Sequence, residues 1–446
     1  ENLNNASCED GNSCTVNDYC ENGVCKSGLN TCCSGKPDGY SCTDQNNVTS
    51  PDLCFSGVCK GFYSAAAFYK YTKDIEFAAA GFMGGYFFTA GSFVQMSDVV
   101  PGEETLRGFI AKLNKTSLPS INSPSYADWR KYTSLHSNVA VGDQGLIAYF
   151  DGQNWSIGGP LQQPLFSGTA IPGNLAGVWG RLKYGLVGCN SRYDWFIVGR
   201  DEGNKYAFSK WCSMIESGFL PCQQKWGCSV MNFEKFMDAE FPAAVYGDDT
   251  SQIDSQIFAV SNYMKDGTPM YNDVFVNKWS LSQQWKMNFE FAATNKNLWK
   301  DVYSYNPDSH WACGTNGLIA YYDKGQNKWI ALSDVLYEQK YRNFNGIYSD
   351  GKNIYVVGSR VYDFNKVKEH FLAIHDLGSP HNDSKYWYEA PLFKAYNECE
   401  TGNCPDFTTT NEVNDITGYD EEVYIVGKQW DQATGVQKGI VFYLVK

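Results

Sequence analysis

The feature that most constrains this chain is a phrase stated twice. Residues 139–155 read VAVGDQGLIAYFDGQNW, and residues 311–329, starting 172 positions further on, read WACGTNGLIAYYDKGQNKW. These two copies belong to a longer series. A short apolar run tipped by glycine or serine recurs as FFTAGS at 87–92, VAVGD at 139–143, WFIVGR at 195–200, IFAVS at 257–261, WACGT at 311–315, IYVVGS at 354–359 and VYIVGK at 423–428. A second apolar run then returns: GFIAKL from 108, GLIAYF from 145, YAFSKW from 206, DVFVNKW from 273, GLIAYY from 317, HFLAIH from 370 and GIVFYL from 439. Ahead of several copies lies AGVWG at 176, NGIYSD at 345 or NDITGYD at 414, which reads as the strand entering each unit.

Successive copies lie 44 to 69 residues apart, a spacing that suits four short antiparallel strands joined by loops of variable length. Seven such units predict an all-β, seven-bladed β-propeller over residues 61–446. Aromatic residues make up 16% of the chain and glycines number 42, a composition that favours strands over helices. The repeated glycine is read as a release from Cβ clash where the strand turns. Of the two best copies, Gly142, Gly145, Ile147, Tyr149, Asp151, Gly152 and Trp155 match the phrase VGxxGxIxxYDGxxW, and Gly314, Gly317, Ile319, Tyr321, Asp323 and Trp329 match it with an insertion before the tryptophan. This pattern resembles the repeats of propellers of the photosystem II assembly-factor family and related secreted bacterial propellers. The resemblance implies a fold and carries no partner with it.

Residues 1–60 have a different character. Nine of the sixteen cysteines fall in the first 59 positions, in two units that share the order C, DG-x-S-C-T, D-x-C, x-x-G-V-C: Cys8, Cys14, Cys20 and Cys25, then Cys33, Cys42, Cys54 and Cys59. Such segments hold too little apolar material for a core, so disulfides, worth roughly 2 to 4 kcal/mol each, must stabilise them. Four cysteines allow three pairings, and all three stay open. These units resemble the EGF-like and related DG-x-x-C-T modules of extracellular proteins, and more loosely the cysteine modules of mastigonemes, the hairs of algal flagella. Cys32 is left over, with Cys313 or another chain as its expected partner. In the body, Cys189, Cys212, Cys222 and Cys228 are expected to form two bridges around one elaborated blade, and Cys399 and Cys404 to close a small loop.

Cysteine count, the start at Glu1, and sequons at Asn5, Asn47, Asn114, Asn154 and Asn382 together predict a secreted, glycosylated protein. A net charge of −13 and a pI near 4.9 argue against a nucleic-acid partner. The uncharged stretch at 77–97 approaches the length of a membrane-spanning helix, yet its glycines and polar residues read better as strand and turn. The C-terminal run GIVFYLVK is expected to close the ring against a strand within 62–81, or to pair with a neighbouring chain.

No catalytic constellation is present: neither G-x-S-x-G nor H-E-x-x-H occurs. His370 and His375 are read as solvent-exposed and unsuited to chelation, and the acidic GDDTSQID at 247–254 and the DGN of the head as solvated loops. No metal or cofactor is expected. The chain is therefore read as an interaction or structural module, with other copies of itself, extracellular proteins or glycans as partners and a filament or surface coat as one setting. The alternatives are a monomeric carbohydrate- or protein-binding propeller with an aromatic-lined central mouth, and a secreted glycoside hydrolase using paired carboxylates.

Overall fold

A computed structural model describes residues 6–9, 15–26, 29–44, 49–67, 72–83, 85–96, 104–113, 120–121, 127–128, 130–136, 138–150, 154–157, 174–183, 192–200, 207–217, 223–232, 240–247, 257–265, 268–279, 285–292, 298–306, 308–333, 335–336, 339, 342–362, 367–392, 412–420, 422–431 and 435–445. Its larger sheets are antiparallel meanders, as short strands separated by tight turns require. Five are four-stranded, over 132–157, 175–232, 240–292, 299–331 and 342–391. The other two are five-stranded, so five sheets, not the expected seven, are four-stranded blades. In one, the strand Glu104–Leu113 carries two short outer strands; the other adds two strands from the N-terminal region to the last repeat.

The first strand of each sheet is the inner one. Thr72–Met83, Tyr132–His136, Leu175–Lys183, Glu240–Gly247, Trp299–Asn306, Arg342–Ser349 and Glu412–Tyr419 each touch the next, and the last touches the first. The architecture is therefore a β-propeller. Its closure is by strand pairing: the C-terminal strand Val436–Val445 pairs antiparallel with Val58–Ala67, from Gly439 opposite Ala67 to Tyr443 opposite Tyr63. That partner lies where the C-terminal run was expected to find one. The same strand carries Cys59, opposite Cys54 in the hairpin with Thr49–Phe55, so the second cysteine unit and the ring share one strand.

The repeated glycine has a different cause from the one expected. Every inner strand carries a register shift, and one residue of the shifted pair is Ala79, Ser134, Gly177, Ala244, Asp301, Gly346 or Asp415. The second-strand residue opposite the start of the bulge is Gly91, Gly142, Gly199, Ser261, Gly314, Gly358 or Gly427. A Cβ at Gly142, Gly314, Gly358 or Gly427 would overlap the carbonyl oxygen of Lys131, Leu298, Asn343 or Glu412, which the bulge pushes toward it. Gly142 itself is extended, with φ −168°, so the requirement is space and not a turn. The turn belongs to the second glycine of the phrase: Gln144 and Gly145 have φ 52° and 69°, and Asn316 and Gly317 have 52° and 78°. Two consecutive left-handed residues make the tight hairpin that starts GLIAY.

The terminal tryptophan of the phrase is an inter-blade wedge. Trp155 and Trp329 are each 1% exposed, and each meets edge-on a phenylalanine of the preceding sheet, Phe88 at 5.8 Å and Phe258 at 5.3 Å between centroids. Burying such a side chain contributes about 2–3 kcal/mol. The stretch at 77–97 falls on the strands Thr72–Met83 and Tyr86–Met96, as expected, and no helix among the described residues is long and apolar enough to cross a membrane.

The two cysteine units differ in their pairing. The second joins Cys33 to Cys54 and Cys42 to Cys59, first to third and second to fourth. The first joins Cys8 to Cys25, first to fourth. Cys32 is disulfide-bonded, and Cys20 carries the free thiol, which corrects the assignment of Cys32 as the odd cysteine. Cys313 is also free, and it is fully buried. It occupies the second-strand position held elsewhere by Val141, Val198, Val260, Val357 and Val426, where a thiol serves as a small apolar group. Strand register sets Cys212 opposite Cys228, while Cys14, Cys189, Cys222, Cys399 and Cys404 lie outside the described residues.

Candidate functional site

Inner strands of a propeller line its central channel, so side chains beyond the bulge converge on one mouth. The bulge shifts the alternation of side chains identically in every inner strand. Two residues past it stand His136, Trp179, Tyr246, Tyr303 and Tyr348 on five consecutive strands. Their rings form a chain. His136 meets Trp179 at 6.2 Å and Tyr246 at 4.9 Å, Tyr246 meets Tyr303 at 4.5 Å, and Tyr303 meets Tyr348 at 5.2 Å. The other two strands carry Thr417 and Gly81 at this position. Beside them, Tyr419 stacks on Phe82 at 3.9 Å with planes 9° apart. Gly418 leaves the room that Tyr348 fills.

Hydrogen bonds fix the state of the histidine. Gly180 N–H donates to His136 Nδ1 over 3.1 Å, so Nδ1 carries no proton and Nε2–H donates to the Tyr246 hydroxyl, also over 3.1 Å. Burial lowers His136 to a pKa of about 4, so the ring is neutral at physiological pH. The outer part of this face presents Tyr305, Tyr86 and Tyr419, at 45%, 48% and 57% exposure, with the Lys112 ammonium 3.0 Å from the Tyr86 ring centroid. Aromatic rings ordered below and exposed above make a surface suited to apolar and aromatic contact.

Deeper in the channel lie two half-buried carboxylates. Asp301 accepts from Val302 N at 2.8 Å and from Ile347 N on the next inner strand at 2.9 Å. Asp415 accepts from Ile416 N and from Ala80 N on the next inner strand, both at 2.8 Å. Ser134 does the same with its hydroxyl, receiving Val178 N at 3.2 Å. These are inter-blade latches. Burial raises Asp301 to about 7, and it raises Asp415 well above the usual carboxylate range, with the charge of Asp301 adding to the effect.

His370 and His375 are 1% and 0% exposed, which corrects their reading as solvent-facing. His375 Nε2 lies 2.8 Å from His381 Nδ1, and its ring stacks on Trp387 at 4.7 Å, so it closes an outer-strand cluster. Of the sequons, Asn154 and Asn382 are exposed; Asn5, Asn47 and Asn114 lie outside the described residues, as do the acidic residues 248–254 and the DGN of the head. The only cluster of potential metal ligands among the described residues is Cys33, Cys42 and Cys59, and all three are in disulfides.

No family model and no curated protein matches the chain. Among solved structures, one of YCF48 bound to D1 peptide is similar at 12% identity and a TM-score of 0.42, over 86% of this chain and 97% of the other. YCF48 from Cyanidioschyzon merolae is similar at 10% identity and a TM-score of 0.40, over 85% of this chain and 98% of the other.

Proposed function

We propose that this chain is a secreted, glycosylated module that binds protein partners through the aromatic mouth of its β-propeller. The observation that carries the reading is the ring at one register position, His136, Trp179, Tyr246, Tyr303 and Tyr348, capped by exposed Tyr305 and Tyr419. Packing needs explain the inner rings. They do not explain two tyrosines about half exposed at the same opening, a residue type enriched at the centres of interfaces. Disulfides such as Cys8–Cys25, Cys33–Cys54 and Cys42–Cys59 support an oxidising compartment.

Random-peptide display on the full chain tests this, with the double variant Tyr305→Ala/Tyr419→Ala as the comparison. The proposal expects enrichment of peptides with aromatic or branched apolar anchors on the parent chain and loss of those peptides on the variant. Enrichment unaffected by the variant would place binding elsewhere.

A second reading, a subunit of an extracellular assembly, is supported by the surface of the first cysteine unit, where Val16, Tyr19 and Val24 are 43%, 40% and 58% exposed. Sedimentation of a Val16→Ser/Val24→Ser variant beside the parent distinguishes it: only an assembly built on that surface would dissociate.

A further inference from the structure

Residues 377–386 run between the two outer strands of the sheet over 342–391, Val367–Asp376 and Trp387–Pro391. One imidazole ties this loop down at two points. His375 is fully buried, opposite Ile354 on one neighbouring strand and Trp387 on the other. Its Nδ1 lies 3.1 Å from the carbonyl oxygen of Tyr386, at the end of the loop, and its Nε2 lies 2.8 Å from Nδ1 of His381, in the middle. Two further bonds complete the attachment: Trp387 Nε1 donates to the His381 carbonyl oxygen over 2.9 Å, and Leu377 N donates to the Lys352 carbonyl oxygen over 2.8 Å.

These partners dictate where the hydrogens sit. A carbonyl oxygen only accepts, so His375 carries its hydrogen on Nδ1, presents the lone pair of Nε2, and receives Nδ1–H of His381. One added proton is accommodated, because half-buried His381 takes it on Nε2 while its Nδ1–H still donates. A second is not. His375 Nε2–H and His381 Nδ1–H would then meet head-on across 2.8 Å, each on a cation.

The surroundings offer such cations little. His375 stacks on Trp387 at 4.7 Å with planes 13° apart, and His381 meets Trp311 at 5.0 Å and Tyr321 at 4.7 Å edge-on. The titratable groups on the elements around the rings are Asp376, Tyr321 and Asp323, while Asp383 and Lys385 of the loop pair with each other at 3.0 Å. Burial lowers His375 to about 4; the Tyr386 carbonyl and Asp376 oppose it and His381 adds to it. Burial lowers His381 too.

We infer that residues 377–386 are an acid-released cover, closed on neutral His375, which opens when His375 and His381 are both protonated and uncovers Trp311 and Trp387, 2% and 6% exposed when closed. The sign follows from linkage. In the open loop the rings regain the ordinary value of 6.5, so opening takes up at least one proton. The open fraction therefore rises about tenfold per pH unit for each proton below pH 6.5, and levels off below about 4.

Hydrogen–deuterium exchange of the full chain, read by mass spectrometry, tests this, with each rate divided by its intrinsic value at that pH so that only opening is compared. Protection of residues 377–386 should fall about tenfold or more between pH 7 and pH 5, while the strand Asn353–Tyr362 keeps its protection. His375→Gln and His381→Gln each remove one titrating ring and keep a donor and an acceptor, and each should make the fall shallower. A loop already open at pH 7 in His375→Gln also supports the clamp, and His381→Gln then carries the pH comparison. Equal protection at pH 7 and pH 5 in the parent, a parallel loss in Asn353–Tyr362, or a fall unchanged in His381→Gln overturns the inference.

Discussion

At the scale of single residues, the bulge in each inner strand governs what its neighbours are able to be. A carbonyl oxygen occupies the place where a Cβ would stand at Gly314. Gly314→Ala should therefore lower stability by about 2–3 kcal/mol through overpacking, read from chemical denaturation. An equal midpoint would show that the strand yields freely. His136 makes a prediction about pH. Its folded pKa of about 4 lies below the ordinary 6.5, so the unfolded chain binds this proton more readily. Stability from this residue is full above pH 6.5, falls as pH drops toward 4 and is level below that, by about 3 kcal/mol in total. His375, also lowered to about 4, acts in the same direction, whereas the raised Asp301 acts oppositely. Urea titrations between pH 7 and 4 should give a shallower dependence for His136→Phe than for the parent chain. Parallel curves would mean that the ring is not held neutral.

At the scale of strands and units, the repeated phrases were legible because a strand with one buried face announces itself in alternating apolar residues, and seven recurrences give the repeat. The aromatic ring was not legible in the same way. Its members are a histidine, a tryptophan and three tyrosines in unlike surroundings, and only the common bulge brings them into one layer. A signal was present: the triplets Gly177-Val178-Trp179, Ala244-Val245-Tyr246, Asp301-Val302-Tyr303 and Gly346-Ile347-Tyr348 all read small or acidic, branched, aromatic. The pairing of the cysteines was illegible, because four cysteines on a short hairpin satisfy several connectivities with little difference in chain geometry. The burial of His375 was hidden for a related reason: a strand pattern does not reveal the outer loop that brings His381 over it.

The cysteine unit also depends on a contact far off in sequence. Asp38, 9% exposed, holds Lys352, Asn353 and the Ser56 amide, and Asp38→Ala would remove all three bonds. Loss of the buried acceptor should weaken this junction by about 1–3 kcal/mol, mostly through the Ser56 amide and Asn353 Nδ2, since Lys352 is half exposed. The expected outcome is faster proteolytic clipping of residues 33–60 with the propeller core still protected. Uniform sensitivity along the chain would show that the junction and the ring unfold as one.

At the scale of the whole molecule, the strand that closes the ring also carries the cysteine unit, so a single decision sets the oligomeric character. Docked on its own C-terminal strand, Val58–Ala67 completes a self-contained ring and leaves the aromatic mouth for other proteins. Docked on a neighbour's strand, it would link copies into a chain. The Lys352–Asp38 ion pair, 2.7 Å long, reports which of the two holds. Isotopically light and heavy chains would be expressed together, their Lys352 and Asp38 side chains joined by a zero-length carbodiimide, and the linked peptides weighed by mass spectrometry. A self-closed propeller predicts linked peptides that are wholly light or wholly heavy. Peptides pairing a light Lys352 segment with a heavy Asp38 segment would contradict it and make strand exchange the architecture of the native protein.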